Sequence, residues 1–301
     1  MKTPPQNYSV ISIISIGAYF CISLLLFSIT NIGQSAEVIK TTLPNKVHVT
    51  AFYQQGEKNR SAILVIHGFL QTRNYLTVSG LSNSLTEDGY TVLAPTLSLG
   101  INHRQRSLPC DAIHTHTMQD DISEITFWVN WLAKKGHNKI MLVGHSYGSL
   151  QSLAYASQQP NPAVKKIIAT SLVDVEHVIG KENVYHQIHL AREQIKKDKN
   201  SLNKYQLSYC KKFVSPAYVF LSYAKWTKTY LLKSLNEIKL PVEIILGSND
   251  NRMGENWPKL VATNGASVTI IQGANHFFDA EHEFDLLENV QQSIENSTNS
   301  E

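Results

Sequence analysis

The stretch "KIMLVGHSYGSLQSLAYA", residues 139–156, decides the fold. It opens as a continuous apolar strand, closes as a helix, and holds one serine, Ser146, between Gly144 and Gly148. Glycine two positions to either side of an apex predicts a sharp turn with no room for neighbouring side chains. Ser146 is then either a nucleophile held on that turn or an ordinary turn serine.

Outward from this stretch, strands and helices alternate. "VHVTAFYQ" reads as an early strand, and "SAILVIHGF" as one buried on both faces. "TVSGLSNSLTEDGY" reads as a helix closing at Gly89, and "TVLAPTL" as a strand running into a long polar loop, residues 98–117. "MQDDISEITFWVNWLAKKG" carries acids in its first turn, lysines in its last and glycine after it, which are helix start and stop signals. Strands follow in "VKKIIATSLVD", "LPVEIILGSND" and "ASVTIIQGANHFF", with a helix near "GENWPKLVATN" and a final one in "EHEFDLLENVQQSI". Residues 175–235 break the rhythm as a polar, helix-leaning segment without a strong strand. This pattern predicts an α/β fold, with a mostly parallel sheet covered on both faces and a helical lid inserted between two core strands.

The chain has 301 residues, 43% hydrophobic and 17% charged, enough for one large domain. A net charge of +3 gives no bulk attraction to nucleic acid. Residues 10–29 contain no charge, a run long enough to span a bilayer as a helix and longer than an ordinary signal-peptide core. Residues 1–36 therefore read as a signal peptide or an N-terminal membrane anchor, and residues 37–301 as the folded domain. Export is expected, with the chain either anchored through residues 10–29 or periplasmic or secreted after cleavage. Cys21 lies in the apolar run, which leaves Cys110 and Cys210 as the pair in the exported part. Either a disulfide joins them or they stay two separate buried thiols.

In an open parallel sheet, ligands bind at the carboxyl ends of the strands. Ser146 stands at such an end, as do Asp250, His276 and the group His67, Gly68 and Phe69. Serine is a weak nucleophile until a base takes its proton, and the base needs an acid to fix its tautomer.

On these residues the chain resembles the α/β-hydrolases over roughly residues 47–295. "GHSYG" matches the family's G-x-S-x-G nucleophile elbow, following a strand and opening a helix. Alone this pattern arises by chance in roughly one chain in ten of this length. The order Ser146, Asp250, His276 and the upstream "HGF" make the match specific. The resemblance implies Ser146 as nucleophile, His276 as base and Asp250 as acid, with the backbone N–H groups of Phe69 and Tyr147 forming the oxyanion hole. Asp174, which ends the strand before the lid, is the alternative acid, because some family members use that position. His282 is a weaker competitor of His276, and His67 and His145 read as loop-fixing residues.

The loop 98–117 departs from the shorter family loop. Its Arg104, Arg106, His114 and His116 read either as substrate contacts gripping a carboxylate or phosphate, or as parts of a polar loop held by hydrogen bonds. Metal ligation by Asp111, His114 and His116 is a weaker reading. The lid is basic, which suits a solvated helical face, anionic lipid head groups or an acidic substrate. No G-x-G-x-x-G follows a strand, and no cofactor is expected.

Together these features point to a serine hydrolase acting on an ester or related acyl bond of a small-molecule or lipid-like substrate. A peptidase or amidase on the same residues, and a non-catalytic binding protein on a hydrolase fold, are the alternatives.

Overall fold

Every residue of Ala62–Ile66 and of Ile140–His145 is buried, so the sheet at this point needs a cover on both sides. The computed structural model describes residues 1–3 and 36–298. The apolar run at 10–29, with Cys21, lies outside the described residues. Among the described residues no helix is long and apolar enough to cross a membrane. The described residues 36–298 belong to one compact unit.

In chain order its elements begin with β1 (Glu37–Thr42), β2 (His48–Gln54), β3 (Ala62–Ile66), α1 (Leu76–Glu87) and β4 (Thr91–Thr96). They continue through α2 (Met118–Lys134), β5 (Ile140–His145), α3 (Tyr147–Ala156) and β6 (Val164–Thr170). After an insertion come β9 (Val242–Gly247), α8 (Trp257–Thr263), β10 (Ser267–Ile271) and α9 (His282–Thr298). The eight strands of the main sheet run β1-β2-β4-β3-β5-β6-β9-β10. From β4 to β10 every neighbour is parallel, while β2 pairs antiparallel with both β1 and β4.

The period-two alternation of a strand divides the core into two layers. Ile63, Val65, Met141 and Val143 pack with Leu81 and Leu85 of α1 and Val290 and Ile294 of α9. Leu64, Ile66 and Leu142 face the other way, against Ile125, Trp128 and Leu132 of α2 and Leu150 and Leu153 of α3. Full burial of each such side chain contributes about 1.5–3 kcal/mol. The helix α2 starts on a capping box: the Thr117 hydroxyl accepts from Asp120 N–H, and the Asp120 carboxylate accepts from Thr117 N–H at 2.7 Å.

Two features differ from the sequence expectation. β1 is an extra, largely exposed edge strand upstream of the first strand expected. The insertion between β6 and β9 is also not purely helical. It contains α4 (Val175–Ile179), α5 (Lys181–Lys197), the antiparallel hairpin β7 (Leu202–Leu207) and β8 (Cys210–Pro216), then α6 (Ala217–Ala224) and α7 (Lys228–Glu237). The hairpin buries Tyr205, Leu207, Cys210, Phe213 and Ser215, while its lysines face out and mask the alternation. Cys210, at the start of β8, is joined by a disulfide to Cys110 of the long loop, with Cα atoms 5.3 Å apart. The same loop donates His114 N–H to the Val214 carbonyl of β8 at 2.8 Å.

Candidate active site

The turn after β5 leaves no room for a side chain two positions to either side of the serine. A Cβ on Gly144 would lie 2.3 Å from the Gly148 carbonyl oxygen, and one on Gly148 would lie 2.5 Å from the Ile66 carbonyl oxygen. Ser146 itself sits at φ 56°, ψ −119°, a conformation that costs on the order of 1–3 kcal/mol for a residue with a side chain. Its N–H donates to the Thr170 carbonyl of the adjacent strand at 2.8 Å, which holds the strained residue in place.

Two further strand ends meet this hydroxyl. The Ser146 Oγ lies 2.8 Å from His276 Nε2, and His276 Nδ1 lies 2.7 Å from Asp250 Oδ2. In the tautomer that satisfies all three groups, Nδ1–H donates to the carboxylate and Nε2 accepts from the serine. The other oxygen of Asp250 accepts from Arg252 N–H at 2.9 Å, and the His276 carbonyl accepts from the Ser171 hydroxyl at 2.7 Å. Burial lowers the pKa of His276 below the usual imidazole value; Asp250 opposes this and nearby Arg252 adds to it. The ring is thus neutral at neutral pH, as proton acceptance requires.

The loop after β3 lies against the serine. A Cβ on Gly68 would lie 3.3 Å from Ser146 Cβ and 3.7 Å from its Oγ, so the backbone running into Phe69 flanks the hydroxyl. Tyr147 N–H is in the first turn of α3, where amide groups have no partner inside the helix. His67 fixes the loop. Its Nδ1 donates to the Gly68 carbonyl at 2.9 Å and its Nε2 accepts Leu97 N–H at 3.0 Å. Burial, helped by Arg104, drives its pKa down to about 3, so it stays neutral. His145 is likewise buried, pushed well below its usual pKa by burial first, and bonded through Nδ1 to Thr170 Oγ1 at 3.1 Å.

The other residues singled out from the sequence lie elsewhere. Asp174 is fully buried but pairs with Lys228 Nζ at 2.6 Å and caps α4 through His177 N–H; it does not meet His276. His282 pairs with Asp285 at 2.8 Å at the start of α9. Arg104 is no substrate clamp: it is 5% exposed, and its guanidinium donates to the carbonyls of Leu97, Leu70, Arg106 and Gln71. Arg106 is exposed on the same loop. His114 is buried and stacked on Phe213 with centroids 4.3 Å apart. His116 is buried against the Tyr223 hydroxyl, which donates to Asp121 at 2.6 Å. Among the described residues no three His, Cys, Asp or Glu side chains are placed to share a metal ion.

A cavity of about 170 Å³ opens beside Ser146, walled by Phe69, Gln71, Tyr75, Tyr209, Arg252 and Phe277. Of these, sequence reasoning had reached only Phe69. Tyr209 comes from the unexpected hairpin, and Arg252 follows Asp250 by two positions without forming any motif.

A family model described as the alpha/beta hydrolase fold matches residues 61–186. No curated protein matches the chain in sequence. Among solved structures, the chain is similar to the alpha/beta hydrolase GrgF from Penicillium sp. sh18 at TM-score 0.66 and 12% identity, covering 86% of this chain and 97% of that one. It is also similar to Est1E from Butyrivibrio proteoclasticus with ferulic acid bound, at TM-score 0.62 and 15% identity, covering 86% and 99%. The thioesterase domain from the curacin biosynthetic pathway matches at TM-score 0.58 and 16% identity, covering 85% and 99%. At these identities the solved structures establish the fold alone. The family match over residues 61–186 and these structures together show that the chain has the alpha/beta hydrolase fold.

Proposed function

We propose that the protein is a serine hydrolase that cleaves an ester or related acyl bond through an acyl-enzyme. The observation that carries this reading is the unbroken line from Ser146 Oγ to His276 Nε2 at 2.8 Å and from His276 Nδ1 to Asp250 at 2.7 Å, with the serine held on a strained turn. Ser146 attacks the carbonyl carbon while His276 Nε2 takes its proton. The oxyanion is held by the N–H groups of Phe69 and Tyr147. His276 then gives the proton to the leaving group, and water releases the acyl chain by the same route. Asp250 keeps the imidazole in the accepting tautomer and steadies its transient positive charge.

The names of two similar structures, ferulic acid bound to Est1E and a thioesterase domain, fit acyl transfer. Labelling by a fluorophosphonate probe tests the reading. Labelling lost in Ser146→Ala supports an activated serine, whereas a folded wild type that never labels favours a binding protein instead.

We also infer that the domain works outside the reducing cytoplasm, held by residues 10–29 as a membrane anchor. The uncharged run and the Cys110–Cys210 bond support this together. Membrane fractionation of the full chain, with sequencing of its mature N-terminus, is the check. A soluble product beginning near residue 37 would replace the anchor with a cleaved signal.

A further inference from the structure

The side chain of Arg252 enters the cavity beside Ser146 without an acidic partner of its own. Its main chain is fixed at both ends: its N–H donates to Asp250 at 2.9 Å, and its carbonyl accepts Asp174 N–H at 3.2 Å. The half-buried guanidinium lies over the Phe277 ring, 5.0 Å from its centroid. Among the described residues no carboxylate forms an ion pair with it. No aspartate or glutamate lines the cavity, and the other polar side chains near the guanidinium, Gln71, Tyr75 and Tyr209, are neutral.

Arg104 offers a contrast in how its donors are used. Arg104 is buried and occupied by four carbonyl oxygens, so it has nothing left for a ligand. Arg252 keeps its donors, and its charge is felt across the site, where it depresses the affinity of His276 and His145 for a proton and favours ionisation of Tyr75 and Tyr209. A planar guanidinium backed by an aromatic ring presents two parallel N–H groups, the geometry that a carboxylate matches. The cavity, at about 170 Å³, is also smaller than the ~300–1,000 Å³ of sites for drug-sized ligands, which favours a short substrate over a long lipid.

We propose that Arg252 binds a carboxylate carried by the substrate a few atoms from the scissile carbonyl, so that the preferred substrates are small acidic esters. This rests on the hydrolase reading above, which it deepens by naming a substrate class. The sequence had suggested anion recognition by Arg104 and Arg106; the site instead assigns it to an arginine beside the acid Asp250.

The test uses esters matched in length, one member ending in a carboxylate and the other in a methyl group. Monomethyl adipate against methyl hexanoate places the charge on the acyl side, and 4-acetoxybutyrate against butyl acetate places it on the alcohol side. The folded domain is expected to favour the acidic member of one pair at least tenfold in kcat/KM, mostly through KM. That preference should fall at least tenfold in Arg252→Gln and partly survive in Arg252→Lys, which keeps the charge but not the fork. A ratio near one in wild type, or a ratio unaltered in Arg252→Gln because both esters lose equally, overturns the proposal.

Binding of adipate to Ser146→Ala, followed by calorimetry, separates this proposal from the hydrolase reading. Binding that disappears when Arg252→Gln is added supports the anion site even if no ester is turned over, in which case the hydrolase reading fails alone. No binding at millimolar adipate, with neutral esters still cleaved, sinks the anion site and leaves the hydrolase standing.

Discussion

The Tyr209 hydroxyl donates to the Phe69 carbonyl at 3.1 Å, so the turn of the inserted hairpin holds the loop that flanks Ser146. Phe69 and Tyr209 also meet edge to face, with ring centroids 5.7 Å apart. The next residue, Cys210, is bonded to Cys110. Disulfide, tyrosine and loop therefore form one mechanical line. Tyr209→Phe keeps the ring and removes the hydrogen bond, and is expected to lower kcat about threefold to tenfold with a smaller change in KM. Cys110→Ser with Cys210→Ser is expected to cost about 2–5 kcal/mol in urea unfolding, because a cross-link across so long a stretch restricts the unfolded chain strongly. Equal urea midpoints for the oxidised wild type and the double variant would refute this.

Asp250 and Asp174 can be told apart by substitution. Asp250→Asn is expected to lower kcat by about 10⁴, since it leaves His276 without its acid. Asp174→Asn leaves Lys228 without a full counter-charge and is expected to act mainly on stability. The reverse ranking in a turnover assay would move the acid to Asp174.

The pH profile follows from His276. Its folded-state pKa is lowered, chiefly by burial, and the neutral ring is the working form. Activity should therefore be lost only as pH falls through a value below the ordinary imidazole pKa near 6.5. Removing the nearby positive charge in Arg252→Gln should move this acidic limb upward. An unmoved limb would mean that the charge of Arg252 does not reach the base.

Glu124 makes folding itself depend on pH. Its carboxylate is buried and accepts from the Ser98 N–H and hydroxyl, yet burial outweighs these bonds and raises its pKa to about 7. The folded chain thus binds this proton more tightly than the unfolded chain, whose carboxyl titrates near 4.5. Its stabilising contribution is complete below about 4.5 and is lost as pH rises toward about 7, by about 3 kcal/mol. Relative to Glu124→Gln, wild type should lose stability across that window and hold a constant offset above it. Urea midpoints measured from pH 4.5 to 8 check this, and parallel curves would refute it.

A methyl group on Gly148 meets a carbonyl oxygen of the neighbouring strand, and backbone cannot step aside. Gly148→Ala is expected to cost about 3 kcal/mol or more, or to prevent folding, whereas Ser146→Ala should leave the urea midpoint almost unmoved. Far-UV circular dichroism with urea titration distinguishes the two.

What the sequence made legible was whatever local rules enforce. Gly144 and Gly148 mark the elbow because no other residue fits, and the apolar runs at Ala62–Ile66 and Ile140–His145 mark strands covered on both faces. Asp250 and Asp174 both end strands, and only the tertiary partners, His276 for one and Lys228 for the other, distinguish them. Arg104 read either as a substrate contact or as part of a hydrogen-bonded loop, because nothing local shows that four carbonyl oxygens converge on it. The β7–β8 hairpin was hidden by its outward lysines, and with it Tyr209. Arg252 has no pattern at all, since its importance lies in the missing acid, and only a folded cavity reveals that.

The bond between Cys110 and Cys210 also makes the molecule tolerant of a broken backbone. The segment 198–200, between α5 and β7, is exposed and is the kind of segment a protease cuts first. Such a cut leaves Ser146 on one fragment and Asp250, His276 and Arg252 on the other. Because Cys110 travels with the first fragment and Cys210 with the second, the halves remain covalently one particle. The same exposed segment is therefore the natural place to open the chain for new termini or to insert a reporter domain.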